Sequence, residues 1–510
     1  MFRSSRLARV LPLVVAPLFV AVGCSSSSTS GTVKSYADSF NKAKPGFGRQ
    51  DMAIVDNIYA KDGAQRNGAG MLANWEMGAA HHTTGQWDLS KEHFLKADDI
   101  AREIEGRAVI SAGDVTKTAG SILTNDNALE FKGDAYEKVM AHSMNAVNFL
   151  GLGDLQGARV EIRKADEYQK AELEKHAKAI AKAADKDAQA GTDKEKKAAE
   201  DKQKREAAVR NQKEIAGEYQ KMTVFTSKVK NSFQNPYTYF LSGLVYEMHG
   251  ENEDALIDYR KALELAPDSS SVQTAVLHVL REHQHSPEAE AFASSCKPSV
   301  AAAAGEPGEG QGEVVVLYEV GFIPQKQQVK FPLPMPNGSV GFTAFPVYTD
   351  YTPSPERLDL SVAGTTITTD PVVDLHVLAV KALQEKWFGI AAREVVRIIA
   401  KEIIQKQAED AAEKAGGSYG KLFAQVGGMV YKAVTQNADV RAFYGLPQQV
   451  QAARVVLPAG DYKVPVRRVG VAGPAVEETV NVTVRPGKKT LVTVRSLPNS
   501  FAVYTFGTGV

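Results

Sequence analysis

Residues 235–267 (NPYTYFLSGLVYEMHGENEDALIDYRKALELAP) decide how the first half of the chain folds. Apolar residues recur at helical spacing on both sides of Gly250, and Pro267 follows the second run. Glycine suits the left-handed backbone that ends a helix, and proline cannot continue one. The stretch therefore predicts a helix, a tight turn and a second helix. Small and aromatic residues stand where these helices would cross, namely Tyr239, Gly243, Tyr246, Ala255, Tyr259 and Ala262.

This spacing resembles the tetratricopeptide repeat, in which small residues let two helices cross closely and aromatic residues fill the space beside them. Weaker copies are predicted upstream at Leu72–Asp98 and Asn145–Gln169. The second copy keeps three small residues in register, Gly153, Ala158 and Ala165. Because one repeat cannot bury its apolar face alone, we predict a short, irregular all-α solenoid over residues 51–294.

The overall composition is that of an ordinary globular protein. The 510 residues are 44% hydrophobic and 24% charged, which is enough for two or three domains with real cores. Lys+Arg and Asp+Glu are both 60, so the net charge is +0 and a nucleic-acid partner is not expected. With 2 Cys in the chain, we predict no disulfide framework.

The N-terminus has the pattern of a lipoprotein signal peptide over residues 1–23. A basic segment precedes the apolar run Val10–Val22, which is short for a membrane span. Ala21-Val22-Gly23-Cys24 resembles the lipobox of bacterial lipoproteins, which implies fatty acyl chains, palmitate among them, on Cys24. Ser25 follows where Asp would favour the inner membrane, so the resemblance implies an outer-membrane anchor with the protein facing the periplasm. The alternative is a secretory signal in which Cys24 is incidental.

Two further segments flank or interrupt the helical half. Residues 24–50 read as a tether, beginning with the serine-rich stretch Ser25–Ser30. Residues 161–221 are rich in Ala, Lys, Glu and Gln and break at 190–193, which predicts a charged helical hairpin. This hairpin is either an arm that reaches a partner or a solvated, partly frayed insertion.

The second half of the chain changes from helical to strand periodicity. An Ala-, Gly- and Pro-rich linker at 295–312 precedes a β-rich domain over residues 313–510. We predict an antiparallel, sandwich-like domain with an inserted helix pair at about 371–435. Asp370-Pro371 is predicted to start the first inserted helix, as an N-cap followed by proline. The predicted fold class is therefore α+β with several domains.

The first inserted helix carries an apolar stripe. Its members are Ile390, Val395, Ile398, Ile399 and Ile403. Such a stripe could meet a membrane or a partner helix, but it more often packs against the neighbouring sheet.

Residues 136–167 and 235–265 also resemble a poorly characterised family of repeat-bearing lipoproteins from Gram-negative bacteria. In that family a Leu-Gly-Asp turn precedes an Ala-Arg-Val-Glu helix, as residues 152–154 and 158–161 do here. The resemblance implies an architecture and a location but no reaction.

The resemblance continues near the C-terminus. Residues 436–441, 446–447 and 453–460 are similar to the closing motif of the same family. A Trp is usual shortly after Arg441, and Ala442-Phe443 stands there instead. The role of that position is therefore open.

Histidines are the residues that could suggest a metal. The candidates are His81, His82 and His93, and His283 and His285 near Glu282 and Glu288. Adjacent histidines on a helix point about 100° apart, so His81 and His82 cannot readily chelate together. The spacing fixes no third ligand. Cys296 has no predicted base beside it. We therefore expect no metal, no cofactor and no catalytic residue.

The sequence favours a non-enzymatic role. We expect a periplasmic, outer-membrane-anchored scaffold that binds a protein partner through its repeat surface in cell-envelope assembly. The alternatives are a metal-assisted periplasmic hydrolase and a structural lipoprotein that binds cell-wall glycan.

Overall fold

In a computed structural model of the protein, the described residues before 304 are mainly helical. The helices before the first strand, within the described residues, are α1 (Tyr36–Arg49), α2 (Met52–Gly63), α3 (Gly68–Thr83), α4 (Trp87–Ser111), α5 (Ala135–Gly151), α6 (Leu155–Ala184), α7 (Lys213–Phe225), α8 (Pro236–Met248), α9 (Asn252–Leu265), α10 (Ser270–Glu282), α11 (Ser286–Ser295) and α12 (Pro298–Ala303).

The structure describes most but not all of the chain. The described ranges are 36–49, 51–111, 129–184, 210, 212–282, 286–305, 308–334, 340–394, 397, 407, 409–411, 413–414, 437–471 and 476–507. The predicted signal peptide, Cys24, His283, His285 and the far part of the predicted charged hairpin lie outside them, as do most of the apolar stripe and the predicted second inserted helix.

Local sequence signals explain where several helices begin. The side chain of Asn235 accepts a hydrogen bond from the backbone N–H of Tyr237, and Pro236 occupies the first position of α8. Asn67 caps α3 in the same way through the N–H of Gly70. Glu137 reaches back to the N–H of Asp134 at the start of α5. These caps fix the first turns of α3, α5 and α8. Each of these is the first, or leading, helix of a helix pair: α3–α4, α5–α6 and α8–α9.

The strands form two main sheets and a hairpin. They are β1 (Gln311–Val320), β2 (Gln327–Pro334), β3 (Val340–Val347), β4 (Arg357–Val362), β5 (Thr365–Thr368), β6 (Asp370–Asp374), β7 (Gln449–Pro458), β8 (Gly460–Val469), β9 (Val476–Val484), β10 (Lys489–Leu497) and β11 (Ser500–Gly507). One sheet has the order β11-β10-β1-β7-β6, the other β5-β4-β8-β9, and β2 pairs with β3.

The sheets are rich in antiparallel pairs but not purely antiparallel, because β1 and β10 run parallel. A parallel pair needs a long connection between its strands, and here most of the C-terminal half provides it. The chain changes sheet at Pro458–Gly460, where β7 of one sheet leads directly into β8 of the other.

The five-stranded sheet is buried on both faces. Val314 and Val316 of β1 belong to a core shared with the four-stranded sheet, whereas the alternating Val315 and Leu317 belong to a core shared with the helices. The architecture is therefore three layers: helices, a central five-stranded sheet and an outer four-stranded sheet. Residues 36–510 form one compact unit, so the helical and β-rich halves share a core rather than standing apart as domains.

Three predicted boundaries change. Residues 36–49 form a helix instead of a tether, because Phe40 and Phe47 are buried there. The predicted linker contains α12, with Val300 buried. Asp370-Pro371 begins strand β6 rather than a helix, which instead runs over 375–394. Asp374 accepts from the N–H groups of the next helix's first turn, so the cap lies four residues later than predicted.

Among the described helices, none has both the length and the apolar character needed to cross a bilayer.

Candidate functional site

The helix pair α8–α9 is built around a contact between a glycine and an aromatic ring. A Cβ placed on Gly243 would lie 2.6 Å from the ring of Tyr259, so only glycine allows this approach. Ala255 and Ala262 are fully buried on the same side of α9. Gly250 adopts φ +74 in the turn, a conformation that favours glycine.

The remaining predicted packing residues of this pair lie at its edges. Tyr239 is buried with Lys261 over its ring, and the half-buried Tyr246 lies beneath Arg159 of α6. Pro267 lies two residues after the end of α9, and its carbonyl accepts a hydrogen bond from the Gln273 side chain.

The two upstream pairs repeat this geometry. The turns of α3–α4 and α5–α6 place Gly85 at φ +70 and Gly153 at φ +74. In α3–α4 the ring of Phe94 packs 3.1 Å from the Cβ position of Gly78, with the same sequence spacing as Tyr259 and Gly243. In α5–α6 the small residues Ala158 and Ala165 are fully buried. All three pairs therefore use the same turn and a closely packed crossing.

The leading helix of the third pair carries a buried charge network into the central sheet. Glu247 of α8 accepts from Arg454 Nη2 of β7 at 2.9 Å and 3.1 Å. The same guanidinium donates to Glu313 of β1 through Nε at 2.6 Å and Nη2 at 2.8 Å. Lys489 Nζ donates to both carboxylates, and Tyr259 O–H donates to Glu247 at 2.7 Å. Two cations thus balance two anions at the interface of helices and sheet.

This network also explains why the nearby His278 does not by itself indicate a metal. His278 Nε2 lies 3.4 Å from Glu247 and 4.0 Å from Glu313, so the three side chains have a ligand-like arrangement. The carboxylates already face Arg454 and Lys489. Burial would raise the pKa of Glu247, but these cations outweigh it and lower that pKa well below its ordinary value.

Two further buried glutamates hold the segment 443–445 against the leading helices. Glu76 of α3 accepts from the N–H groups of Tyr444 and Gly445, both at 2.8 Å, and Glu137 accepts from Phe443 N–H at 2.7 Å. The Phe443 ring stacks on Trp75 at 5.4 Å. The position where the resembled family usually has a Trp is thus a buried aromatic contact.

These contacts decide which repeat surface is accessible. The leading helices α3, α5 and α8 are almost entirely buried, and their glutamates Glu76, Glu137 and Glu247 meet segment 443–445 or the protein's own sheet. The second helices α4, α6 and α9 face outward instead. Among the described residues they expose four large apolar side chains, namely Leu89 (45%), Val160 (51%), Leu173 (45%) and Ile257 (51%).

The turns of the repeats also line a cleft. It has a volume of about 490 Å³ and lies between residues 153–156, residues 247–249 and the strand ends at Lys488 and Gly507. Its lining mixes backbone of two repeat turns with lysines of the β9–β10 connection.

The adjacent side chains of His81 and His82 on α3 point in different directions, as the helical spacing predicts. His82 Nδ1 lies 2.7 Å from Asn148 Oδ1, and its Nε2 lies 3.4 Å from Glu319 in the layer interface. His81 points elsewhere, and its ring stacks on that of His93 at 5.4 Å with an interplanar angle of 7°. Asp56 of α2 faces this pair. Burial lowers the pKa of His93 to about 4.

Sequence reasoning missed the charged residues of the layer interface. Glu76, Glu313 and Arg454 each interrupt a strongly apolar run, in LANWEMGAA, GEVVVLYEV and AARVVL respectively. A lone charge in a run otherwise fit for the core is the signal that could have indicated them, since such charges are buried only when they are paired.

A family model for the tetratricopeptide repeat matches residues 236–269. This match confirms the repeat predicted at 235–267, and such repeats generally mediate protein–protein interactions. No match to the chain was found among the curated proteins compared with it.

Proposed function

We propose that this protein is an outer-membrane-anchored periplasmic lipoprotein that acts as a protein-interaction scaffold in cell-envelope assembly, without catalysis. The observation that carries the proposal is the tetratricopeptide repeat at 236–269, a module whose usual role is to bind other proteins. The lipobox-like sequence that ends at Cys24 supports the location.

The partner would meet the second helices rather than the leading ones. In this protein the leading helices already contact the central sheet through Glu247 and segment 443–445 through Glu76 and Glu137. Val160 and Ile257 each lie seven residues after the turn glycine of their pair, Leu89 lies four residues after Gly85, about one helical turn earlier, and all three are exposed. Apolar side chains that recur on one exposed surface are typical of interaction sites.

Changing these three residues together to glutamate is expected to abolish partner binding while leaving the fold intact. Three charges would oppose desolvation of the contact surface, whereas exposed substitutions alter stability by only about 0.5 kcal/mol each. The measurement is cross-linking and affinity capture from detergent-solubilised envelopes, with quantitative mass spectrometry of each captured protein.

Val224→Glu is the matched control, since Val224 of α7 is 68% exposed but lies outside the three pairs. A partner retained by this control and lost from the triple variant supports the proposal. Equal capture by both variants, or no protein enriched over a mock capture, contradicts it.

Cys24→Ser is expected to release the protein from the membrane fraction. Two or three acyl chains anchor a protein almost permanently, at roughly 0.8 kcal/mol per buried methylene. The unaltered protein should incorporate labelled palmitate and partition into detergent, and the variant should do neither. Cys296→Ser is the control and should behave like the unaltered protein; labelling that survives in Cys24→Ser would rule out the anchor.

The hydrolase alternative depended most on His283 and His285, which lie outside the described residues. The glycan-binding alternative is favoured by no contact in the described part of the sandwich.

A further inference from the structure

Asp56, His81 and His93 converge from three successive helices, α2, α3 and α4. Each offers one ligand atom, and these three atoms lie within 4.8 Å of one another. His81 is 4% exposed, and Asp56 Oδ1 is buried although the rest of its side chain reaches solvent. The residues are 12 or more positions apart, so only the folded helices bring them together.

Each of the two imidazoles makes a hydrogen bond on the side that faces away from the cluster, and these bonds fix the orientation of the rings. His81 Nδ1 lies 2.9 Å from Gln86 Oε1, and His93 Nδ1 lies 3.0 Å from Asn74 Oδ1. The Asn74 amide cannot be reversed, because its Nδ2 donates to the carbonyls of Gly63 at 2.9 Å and Gly70 at 2.7 Å. Asn74 therefore presents an acceptor to His93. A proton on Nδ1 leaves the lone pair on Nε2, which is then the nitrogen that can serve as the ligand atom of His93.

The inner side of the cluster then consists of acceptors. Asp56 Oδ1 is buried without a hydrogen-bond partner, and His81 Nε2 lies 3.6 Å from it, which is too far for a good hydrogen bond. Lone pairs that face one another at this range repel unless a cation lies between them. Outer hydrogen bonds that set the tautomer of a histidine are typical of metal ligands.

We propose that Asp56 Oδ1, His81 Nε2 and His93 Nε2 bind one divalent transition-metal ion, with Zn²⁺ as the best fit. Two imidazoles and one carboxylate suit Zn²⁺ rather than Ca²⁺ or Mg²⁺, which prefer oxygen ligands. Zn²⁺ ligand atoms lie about 2.0–2.2 Å from the metal, so the three atoms would move closer together when the ion binds. Three protein ligands beside solvent leave a fourth position for water. The ion would tie α2 to the first helix pair.

The test uses the tag-free full chain in detergent, stripped with chelator and titrated with Zn²⁺ by calorimetry. One ion per chain is expected. His93→Gln should weaken Zn²⁺ binding by about 100-fold or more, since even outer partners cost 10–100-fold. His176→Gln, which changes an exposed histidine of α6, is the control and should bind like the unaltered chain.

His93 is only half-buried, so His93→Gln should fold even if His81→Gln does not. Circular dichroism of each metal-free variant checks this. A second readout is the visible spectrum of the Co²⁺-substituted chain, which should show a low-coordinate site that His93→Gln removes. Binding of less than one Zn²⁺ per chain, or equal Zn²⁺ affinity in His93→Gln and the unaltered chain, overturns the proposal.

Discussion

Arg454→Met is expected to lower the free energy of unfolding by about 3–5 kcal/mol. The substitution removes the guanidinium that faces both Glu247 and Glu313 and leaves Lys489 to balance these two buried carboxylates. Removing one member of a buried ion pair is costly because the other charge stays desolvated. Urea denaturation at pH 7, followed by circular dichroism, measures the effect.

Arg467→Met is the matched control. Arg467 lies on the outer sheet, its side chain is 52% exposed, and it lies 3.4 Å from Asp359. An exposed pair contributes about 1 kcal/mol or less. A loss for Arg454→Met that is no greater than that of the control would show that the network is not a main link between helices and sheet.

Acidification should reveal the same network. The pKa of Glu247 is depressed in the folded protein, so its stabilising contribution is present above the unfolded pKa of about 4.3 and is lost as the pH falls through the folded pKa. The stability difference between the unaltered protein and Arg454→Met should therefore shrink below about pH 4.

The features that the sequence predicts well are local. The turn and crossing of α8–α9 depend on Gly243, Gly250 and Tyr259, which lie within one stretch of chain. The hairpin of β4 and β5 is equally local, and both Ala363 and Gly364 adopt positive φ in its turn. Both features depend on residues that are close together in the sequence, so residue spacing alone can indicate them.

The features that the sequence does not predict depend on contacts between segments that are distant in the chain. Asp370-Pro371 has the composition of a helix start, but Asp370 Oδ2 instead accepts from Ser269 and Ser270 at the start of α10, and β6 pairs with β7. The tertiary partners override the local preference. The covering of the leading helices by the sheet has the same origin. It moves the proposed partner surface to the opposite side of the repeats.

Glu76→Ala is expected to destabilise the protein by about 3–5 kcal/mol and to release segment 443–445 from α3. The Glu76 carboxylate accepts from Tyr444 N–H, Gly445 N–H and Tyr36 O–H at 2.8–2.9 Å, and the side chain is fully buried. The variant leaves three donors without an acceptor, and each such loss costs about 1–3 kcal/mol before the surroundings relax. Hydrogen exchange should show the amides of Tyr444 and Gly445 losing protection.

The pH dependence of Glu76→Ala should have the opposite sign to that of Arg454→Met. Burial raises the pKa of Glu76 to about 8 although its three donors lower it, so the folded protein holds a proton that the unfolded chain releases. That contribution is complete below about pH 4.3 and is lost as the pH rises toward 8. The destabilisation by Glu76→Ala should accordingly be larger at pH 5.5 than at pH 8.5.

Glu92→Ala, at an exposed glutamate of α4, should change stability by no more than about 0.5 kcal/mol at either pH. If Glu76→Ala matched this control, or left the Tyr444 and Gly445 amides protected, the carboxylate would not be what holds the segment in place.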